Sequence, residues 1–428
     1  MLDELFTPDR RRRLVLKRGK ERVVSNRHPW IFAGAIHTER GPEDAAIADL
    51  VNGDGTLIAS GLYSRHSQIK LRALTFGEDL TSDTISNRIA AAVARRNAIF
   101  DETTNAARVL HAEGDELSSI VVDRYDDVLV VEIANRGVEQ LKPLIIDALQ
   151  RALSPRVIYF KNDLPARKIE QLTVKDQCVI PRREDGAESP SGREHGGLSE
   201  GDPALTRGMT RESDAMSPAT TILESNLRFH VNPAEGQKTG FFLDQRENRR
   251  LARTLASGRR VLNLFSYSGA FGVYASAGGA ASVTNVDISA PAIEHARKNH
   301  ELNGTAAEFI VADAFQYVRQ RHHDRFDLLI CDPPAFAKSR GEVERAARGY
   351  KDVNLHAMRM VEPGGLMMTF SCSGHMSVEL FQKVIFAAAL DAGRRVSFVR
   401  RLTAGPDHPV SIYCPEGEYL KGFLLEVH

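Results

Sequence analysis

Two short stretches of this 428-residue chain place reactive side chains where an apolar run stops. Leu366-Met-Met-Thr-Phe-Ser-Cys-Ser-Gly374 ends in small polar residues around one thiol, Cys372, and Phe326-Asp-Leu-Leu-Ile-Cys-Asp-Pro-Pro334 ends on a carboxylate, Asp332. A thiolate is a nucleophile for electron-poor carbon, and a carboxylate can hold the polar edge of the molecule under attack. In an open α/β sheet, ligands bind beyond the carboxyl ends of the strands, so two such ends can face one substrate. Asp332 precedes Pro333-Pro334, and a residue before proline is pushed toward extended backbone, which fixes the direction of its carboxylate. Plainer readings stand beside these: Asp332 as a turn former, and Cys372 as a small buried hydrophobe. Cys331 lies inside its run and reads as core.

Such chemistry needs elements to carry it. From about Thr221 the pattern alternates strand and helix, the signature of a doubly wound parallel sheet. Strands are expected at Val261–Leu264, Ser282–Val286, Glu308–Val311, Leu328–Cys331, Leu366–Phe370, Val396–Leu402 and Gly422–Val427, with helices at Ala270–Ala277, Ala290–Asn303 and Glu342–Met360. Ahead of this, strand-like runs at Arg13–Leu16, Trp30–Ala33, Leu57–Leu62 and Gln68–Ala73, separated by turns such as Asn52-Gly-Asp-Gly55, predict a small β-barrel or half-barrel over residues 1–77. Residues 78–180 read as an α+β unit: a helix over Thr81–Phe100, a hairpin Ser119–Asp123 and Val128–Ile133, a helix Val138–Leu153 and a strand Val157–Phe160. Residues 181–220 are rich in Gly, Ser and charge, and Pro181 to Pro218 contains no Ile, Val, Phe, Tyr or Trp. A segment that cannot bury apolar surface does not offset its ordering entropy, so a disordered insertion is expected there. The last unit spans 221–428.

Between the first two strands of that unit lies Asn263-Leu-Phe-Ser-Tyr-Ser-Gly-Ala-Phe-Gly272, a tight turn holding Phe265, Ser266 and Gly269 that lets a ligand approach the backbone at a helix start. Asp287 follows the second strand at a distance suited to gripping a ribose hydroxyl pair. Nicotinamide enzymes share that geometry, but G-x-G-x-x-G is missing, and a further acid, Asp313, follows the third strand, where it could accept from an adenine amino group. These features move the reading to S-adenosylmethionine, while leaving Asp287 and Asp313 open as helix caps. Asp-Pro-Pro by itself predicts methylation of a nitrogen. Cys372 changes that expectation, because carbon 5 of a pyrimidine becomes nucleophilic once a thiolate adds to carbon 6 and makes the ring an enamine. Asp332 would then hold the N3 and N4 edge of cytosine.

The apolar fraction of 42% and charged fraction of 26% are those of a soluble globular protein. The amino terminus reads as neither signal peptide nor membrane span, so a cytoplasmic location without membrane association is expected. Four cysteines without paired CxxC or Cys/His spacing predict free thiols and no metal. Formal net charge is zero, yet nine Lys or Arg and one acid fall between Arg10 and His28. This run, with Arg10, Arg11, Lys17, Arg18, Lys20 and Arg27, is either a solvated face or an edge that contacts phosphates.

Read together, Arg27-His-Pro-Trp-Ile-Phe-Ala-Gly34, Gly240-Phe-Phe-Leu-Asp-Gln-Arg-Glu-Asn248, Leu262-Asn-Leu-Phe-Ser-Tyr-Ser-Gly269, Asp332-Pro-Pro334, Arg348-Gly-Tyr-Lys-Asp352, Thr369-Phe-Ser-Cys-Ser-Gly374 and Asp407-His-Pro409 give a specific resemblance over nearly the whole chain. It resembles the bacterial large-subunit ribosomal RNA cytosine-C5 methyltransferases with a PUA domain, an EEHEE α+β domain and a Rossmann-like class I methyltransferase domain. The resemblance implies Cys372 as nucleophile, and S-adenosylmethionine against Gln237, Phe241, Asp244, Arg246, Phe265, Asp287, Asp313 and Asp332. It also implies ribosomal RNA held partly by the PUA-like unit, and leaves room for a homodimer. The chain departs from the pattern in its longer polar insertion, and Asp332-Pro-Pro-Ala-Phe336 lacks the second cysteine by which many RNA cytosine-C5 enzymes release product. The competing expectations are N-methylation of a guanine in the same RNA and a non-catalytic RNA-binding assembly factor.

Overall fold

The computed structural model describes residues 3–180, 217–236 and 238–428. The polar stretch 181–216, expected to be disordered, and Gln237, expected at the cofactor, lie outside the described residues.

The first sheet comprises β1 (Arg12–Leu16), β2 (Trp30–Phe32), β3 (Ile36–Arg40), β4 (Ile47–Val51), β5 (Leu57–Tyr63) and β6 (Ile69–Phe76), paired in the order β2-β6-β5-β4-β1-β3. The pair β1 and β4 is parallel and the others are antiparallel. Four strands lie where turn residues bracket alternating patterns. Two strands are additional, β3 and β4; β4, Ile-Ala-Asp-Leu-Val, is buried at four of its five positions and so lacks the alternation that marks a strand in sequence. The basic run contains one helical turn, α1 (Glu21–Ser25).

The second sheet has the order β11-β10-β9-β8-β7, built from β7 (Ala106–His111), β8 (Ile120–Tyr125), β9 (Val128–Ile133), β10 (Val157–Phe160) and β11 (Gln177–Val179). Helix α2 (Ser82–Arg95) starts at Thr81, whose hydroxyl accepts from the Thr84 amide, and buries Ile85, Ile89, Ala92 and Val93. The helix expected over Val138–Leu153 is two: α3 (Arg136–Gln140) and α4 (Lys142–Leu153). Pro143 has no N–H to continue the first helix and begins the second instead. A short α5 (Pro165–Ile169) precedes β11. Ile47, Leu62 and Leu74 of the first sheet share one core with Ile89, Val122, Val131, Leu149 and Phe160 of the second unit.

A hairpin of β12 (Thr220–Glu224) and β13 (Leu227–Val231) leads into α6 (Arg246–Leu255) and the largest sheet. That sheet contains β14 (Arg260–Leu264), β15 (Ser282–Asp287), β16 (Glu308–Val311), β17 (Phe326–Cys331), β18 (Val361–Ser371), β19 (Val396–Leu402) and β20 (Lys421–Val427), in the order β16-β15-β14-β17-β18-β20-β19. Its helices are α7 (Ala270–Ala277), α8 (Ala290–Leu302), α9 (Ala314–Gln320), α10 (Val343–Met360) and α11 (Val378–Ala392). Strands β14 to β18 are mutually parallel, as expected, but β20 inserts antiparallel between β18 and β19. The chain between β19 and β20 carries one 3-10 turn, Pro415–Gly417, in place of the crossover helix that parallel pairing needs.

The hairpin, α7 and Phe241 pack in one apolar cluster with Tyr125, Val128, Val130 and Tyr159 of the second sheet. Polar groups fasten the same seam: Thr239 Oγ1 donates to Asp123 Oδ2 at 2.5 Å, and Asp407 Oδ2 accepts from the Arg108 amide at 3.1 Å. Among the described residues no helix is long and apolar enough to cross a membrane.

Candidate active site

The strand order reverses between β14 and β17, and a cavity of about 350 Å3 opens beyond their carboxyl ends. One wall is the turn after β14. Phe265 at φ 57°, Tyr267 at φ 47° and Gly269 at φ 72° all lie in the left-handed region, which strains the two residues with side chains. The turn is held by Asp287, which accepts from the Tyr267 amide through Oδ2 and the Ser289 amide through Oδ1, both at 2.9 Å. Ser266 Oγ is buried there without a hydrogen-bond partner.

The opposite wall carries Asp332, Pro333, Pro334 and Cys372. Cys372 follows the tip of β18, with Sγ 3.7 Å from the Pro333 carbonyl. Its neighbour Ser373 fixes the loop: its Oγ lies 3.0 Å from Tyr350 Oη of α10 and accepts from the Ala337 amide at 3.2 Å, while its carbonyl accepts from Lys421 Nζ at 2.8 Å. Asp332 Oδ2 accepts from Gln245 Nε2 at 3.0 Å, and Asn248 Nδ2 orients that amide through Gln245 Oε1 at 2.6 Å. Burial, then Asp244, push Asp332 up to about 7, against the Gln245 hydrogen bond and Lys238. Burial also pushes the Cys372 thiol up to about 11; Lys238 pulls it down, and Asp332 and Asp244 add to the rise.

Phe241, Asp244, Phe265, Ser266, Asp287, Asp332 and Cys372 therefore share one cavity. Three of the other expected site residues go elsewhere. Arg246 is fully buried away from the cavity, where Nη2 donates to Asp407 Oδ2 at 2.8 Å and the Ala106 carbonyl at 3.0 Å, and Nε lies 3.4 Å from Glu224. Asp313 is the cap of α9, its Oδ1 accepting from the Gln316 amide, and does not line the cavity. Gly269 starts α7 behind the wall, where an added Cβ would stand 2.7 Å from Ala296 Cβ. Of the basic residues, Arg10, Lys17, Arg18, Lys20 and Arg27 are exposed. Arg11 is not: it is 7% exposed and binds the Phe6 and Leu80 carbonyls, Asp49 and Asp79. Four consecutive arginines look alike in sequence, but the chain entering β1 turns this one inward.

Lys238 and Tyr419 are the site residues the sequence reading passed over; Gln245, inside the expected Phe241 to Arg246 segment, does line the cavity. Lys238 lies two residues before the recognised Gly240–Asn248 segment, whereas Tyr419 arrives from the loop before β20 and left no local signal. His28, Cys414 and Glu416 bring ligand atoms within 4.8 Å of one another. There His28 Nδ1 accepts from the Trp30 amide, which leaves the ring proton on Nε2 facing Glu416 at 3.2 Å, an arrangement suited to a hydrogen bond more than to a metal.

Residues 212–417 match a family described as S-adenosylmethionine-dependent methyltransferase, and residues 14–76 match a PUA-like domain. Fold and site thus define an S-adenosylmethionine-dependent methyltransferase carrying a PUA-like domain. Over 425 residues the chain is 38% identical to ribosomal RNA large subunit methyltransferase I of Shewanella denitrificans, covering 97% of this chain and 99% of that one. It is 39% identical over 421 residues to the protein of the same name from Tolumonas auensis, covering 96% and 98%. The chain belongs to the ribosomal RNA large subunit methyltransferase I family. Its fold is shared by a chain assigned as a methyltransferase from Streptococcus mutans, at TM-score 0.75, 20% identity and coverage of 97% and 99%. It is also shared by SMU.776, a methyltransferase assignment solved with SAH, at TM-score 0.76, 20% identity and the same coverage.

Proposed function

We propose that the chain methylates carbon 5 of a cytosine in large-subunit ribosomal RNA through a covalent adduct to Cys372. One observation carries the reading: Cys372 and Asp332, from neighbouring strand tips, line the same cavity as the β14 turn. The relatives' name supplies the class of RNA. Phe265, Ser266 and Asp287 hold S-adenosylmethionine, which supplies an electrophilic methyl on its sulfonium. Two buried oxygens in the wall without partners, Ser266 Oγ and Asp244 Oδ1, suit a ligand rich in hydroxyl and charged groups. The exposed Arg10, Lys17, Arg18, Lys20 and Arg27 contact phosphates.

The Cys372 sulfur gives its electron pair to carbon 6 while Asp332, near neutrality in pKa, passes its proton to N3. The ring is then an enamine with a nucleophilic carbon 5, toward which a bound S-adenosylmethionine would supply its methyl group, its carbon–sulfur pair staying with the sulfur. Transfer of the carbon-5 proton to water returns the electrons that expel the Cys372 thiolate, and Asp332 recovers the N3 proton.

Transcribed large-subunit RNA containing 5-fluorocytosine tests this, because fluorine at carbon 5 blocks the last elimination. Wild-type protein with labelled cofactor should give a denaturation-resistant protein–RNA adduct, and Cys372→Ala none. Methyl transfer to ordinary RNA by Cys372→Ala would overturn the reading in favour of nitrogen methylation.

A further inference from the structure

Lys238 lies in the cavity wall with Cys372, Asp332 and Asp244, and its placement is tightly specified. Its Nζ stands 3.5 Å from Asp244 Oδ2, 4.6 Å from the centre of the Phe242 ring and 5.4 Å from that of Tyr419. Asp244 is itself fixed, accepting from Tyr419 Oη at 2.6 Å. The backbone at Lys238 is held at φ 50°, a conformation that costs a side-chain-bearing residue roughly 1–3 kcal/mol. The next residue, Thr239, is pinned to the second sheet through Asp123 Oδ2 and Tyr125 Oη, the latter at 3.0 Å. Although its side chain is 44% exposed, Lys238 is held by an acid and two rings, and the next residue by the second sheet.

We propose that Lys238 is a positioning residue that supports the Cys372 thiolate, its ammonium held on Asp244 in the wall of the cavity that the thiol also lines. The ammonium stays protonated throughout; the thiol proton leaves to water, and the sulfur keeps the pair with which it attacks. This rests on the reading of Cys372 as nucleophile. Other groups bear on the sulfur too: Asp332 and Asp244 oppose its ionisation, Tyr350 approaches from α10, and Lys421, whose own pKa burial lowers, sits on the Ser373 carbonyl. Around Lys238 itself stand Asp244, Asp332, Arg108 and Glu132; burial works against its charge, but Asp244, Cys372 and Asp332 hold its pKa above the ordinary lysine value.

The test is the pH profile of iodoacetamide alkylation, read at the Cys372 peptide by mass spectrometry, in full-length wild type, Lys238→Met and Lys238→Arg. Lys238→Met should move the midpoint up by about one unit, so that alkylation at pH 8 slows about tenfold, and Lys238→Arg should restore most of it. An unchanged profile in Lys238→Met that still binds S-adenosylmethionine in calorimetry overturns the proposal. If Lys238→Met loses cofactor binding, an unchanged midpoint still overturns the proposal, and where its midpoint rises the Lys238→Arg profile decides: a midpoint near wild type supports the proposal, and one raised as far as in Lys238→Met overturns it. The thiol profile is independent of the 5-fluorocytosine adduct, so failure of the carbon-5 reading shows separately as absence of that adduct with the profile shifted as expected.

Discussion

Asp332 shows how one buried carboxyl group can be useful to chemistry and costly to the fold. Folded, it keeps its proton to about pH 7, whereas an ordinary aspartate loses it at 3.8. Between those values the folded state binds more protons than the unfolded one, so stability falls as pH rises through this window and levels off above it. Asn cannot ionise and escapes that fall, while its side-chain oxygen can still accept from Gln245. Asp332→Asn should therefore match wild type near pH 4 and exceed it at pH 8 by on the order of 2 kcal/mol, the exposed edge of the carboxyl screening the remainder. Thermal midpoints across pH check this. On the proposed mechanism N3 loses its proton donor, so initial rates at pH 7 should fall by roughly 100-fold in the same variant. Gain of stability together with loss of rate in Asp332→Asn would mark a carboxyl group that serves the reaction at the expense of the fold.

The decisive element is the turn from β14 into α7. Its left-handed residues wrap the chain around the cavity, and Gly269 is the position where a side chain would do most damage. There φ is 72°, and an added Cβ would lie 2.7 Å from Ala296 Cβ of α8. Gly269→Ala combines a left-handed conformation, costing about 1–2 kcal/mol for an L-residue, with overpacking of about 1–3 kcal/mol. The expected outcome is a lower thermal midpoint together with weaker S-adenosylmethionine binding in calorimetry, since relief of the clash moves Ser266 and Tyr267. Gly258, also at positive φ but with open space around its Cβ position, serves as the control: Gly258→Ala should cost the conformational part and leave cofactor affinity unchanged.

At the scale of the whole molecule, the second sheet and the largest sheet are locked together by buried charges. Asp407, fully buried, accepts from Arg246 and from the Arg108 amide, and its Oδ1 lies 3.1 Å from His408 Nδ1. Arg96 adds a hydrogen bond to the Asp407 carbonyl and a bidentate pair with Asp115. Removing one partner of such a pair strands the other, at about 3–5 kcal/mol. Asp407→Ala should lower the unfolding free energy from urea titration at pH 7 by that order and open the seam between the second and largest sheets to limited proteolysis. Burial opposes the Asp407 charge, but His408 and Arg246 hold its carboxyl well below the usual carboxylate range. Stability from a depressed pKa is present above the unfolded value of 3.8 and lost as pH falls below it, so the gap between variant and wild type should close in acid.

Local pattern was enough to locate what depends on neighbours in sequence. Val157–Phe160, Glu308–Val311, Val396–Leu402 and Ala270–Ala277 lie where apolar runs and their flanking breakers placed them. Cys372 and Asp332 were legible as strand-tip residues because an apolar run must stop where a strand meets solvent or ligand. The helix α6, Arg-Glu-Asn-Arg-Arg-Leu-Ala-Arg-Thr-Leu, was not legible, since it reads as a solvated polar stretch while burying Arg246, Asn248 and Arg249. Nor was the fate of individual charges: Arg11 turns inward to Asp79, Arg246 spans to Asp407, and Lys238 enters the cavity on Asp244. A sequence records which charges exist, but the energy of a charge depends on whether water or a counter-ion surrounds it. For Arg246 that counter-ion is 161 residues away, and only the folded chain brings it there.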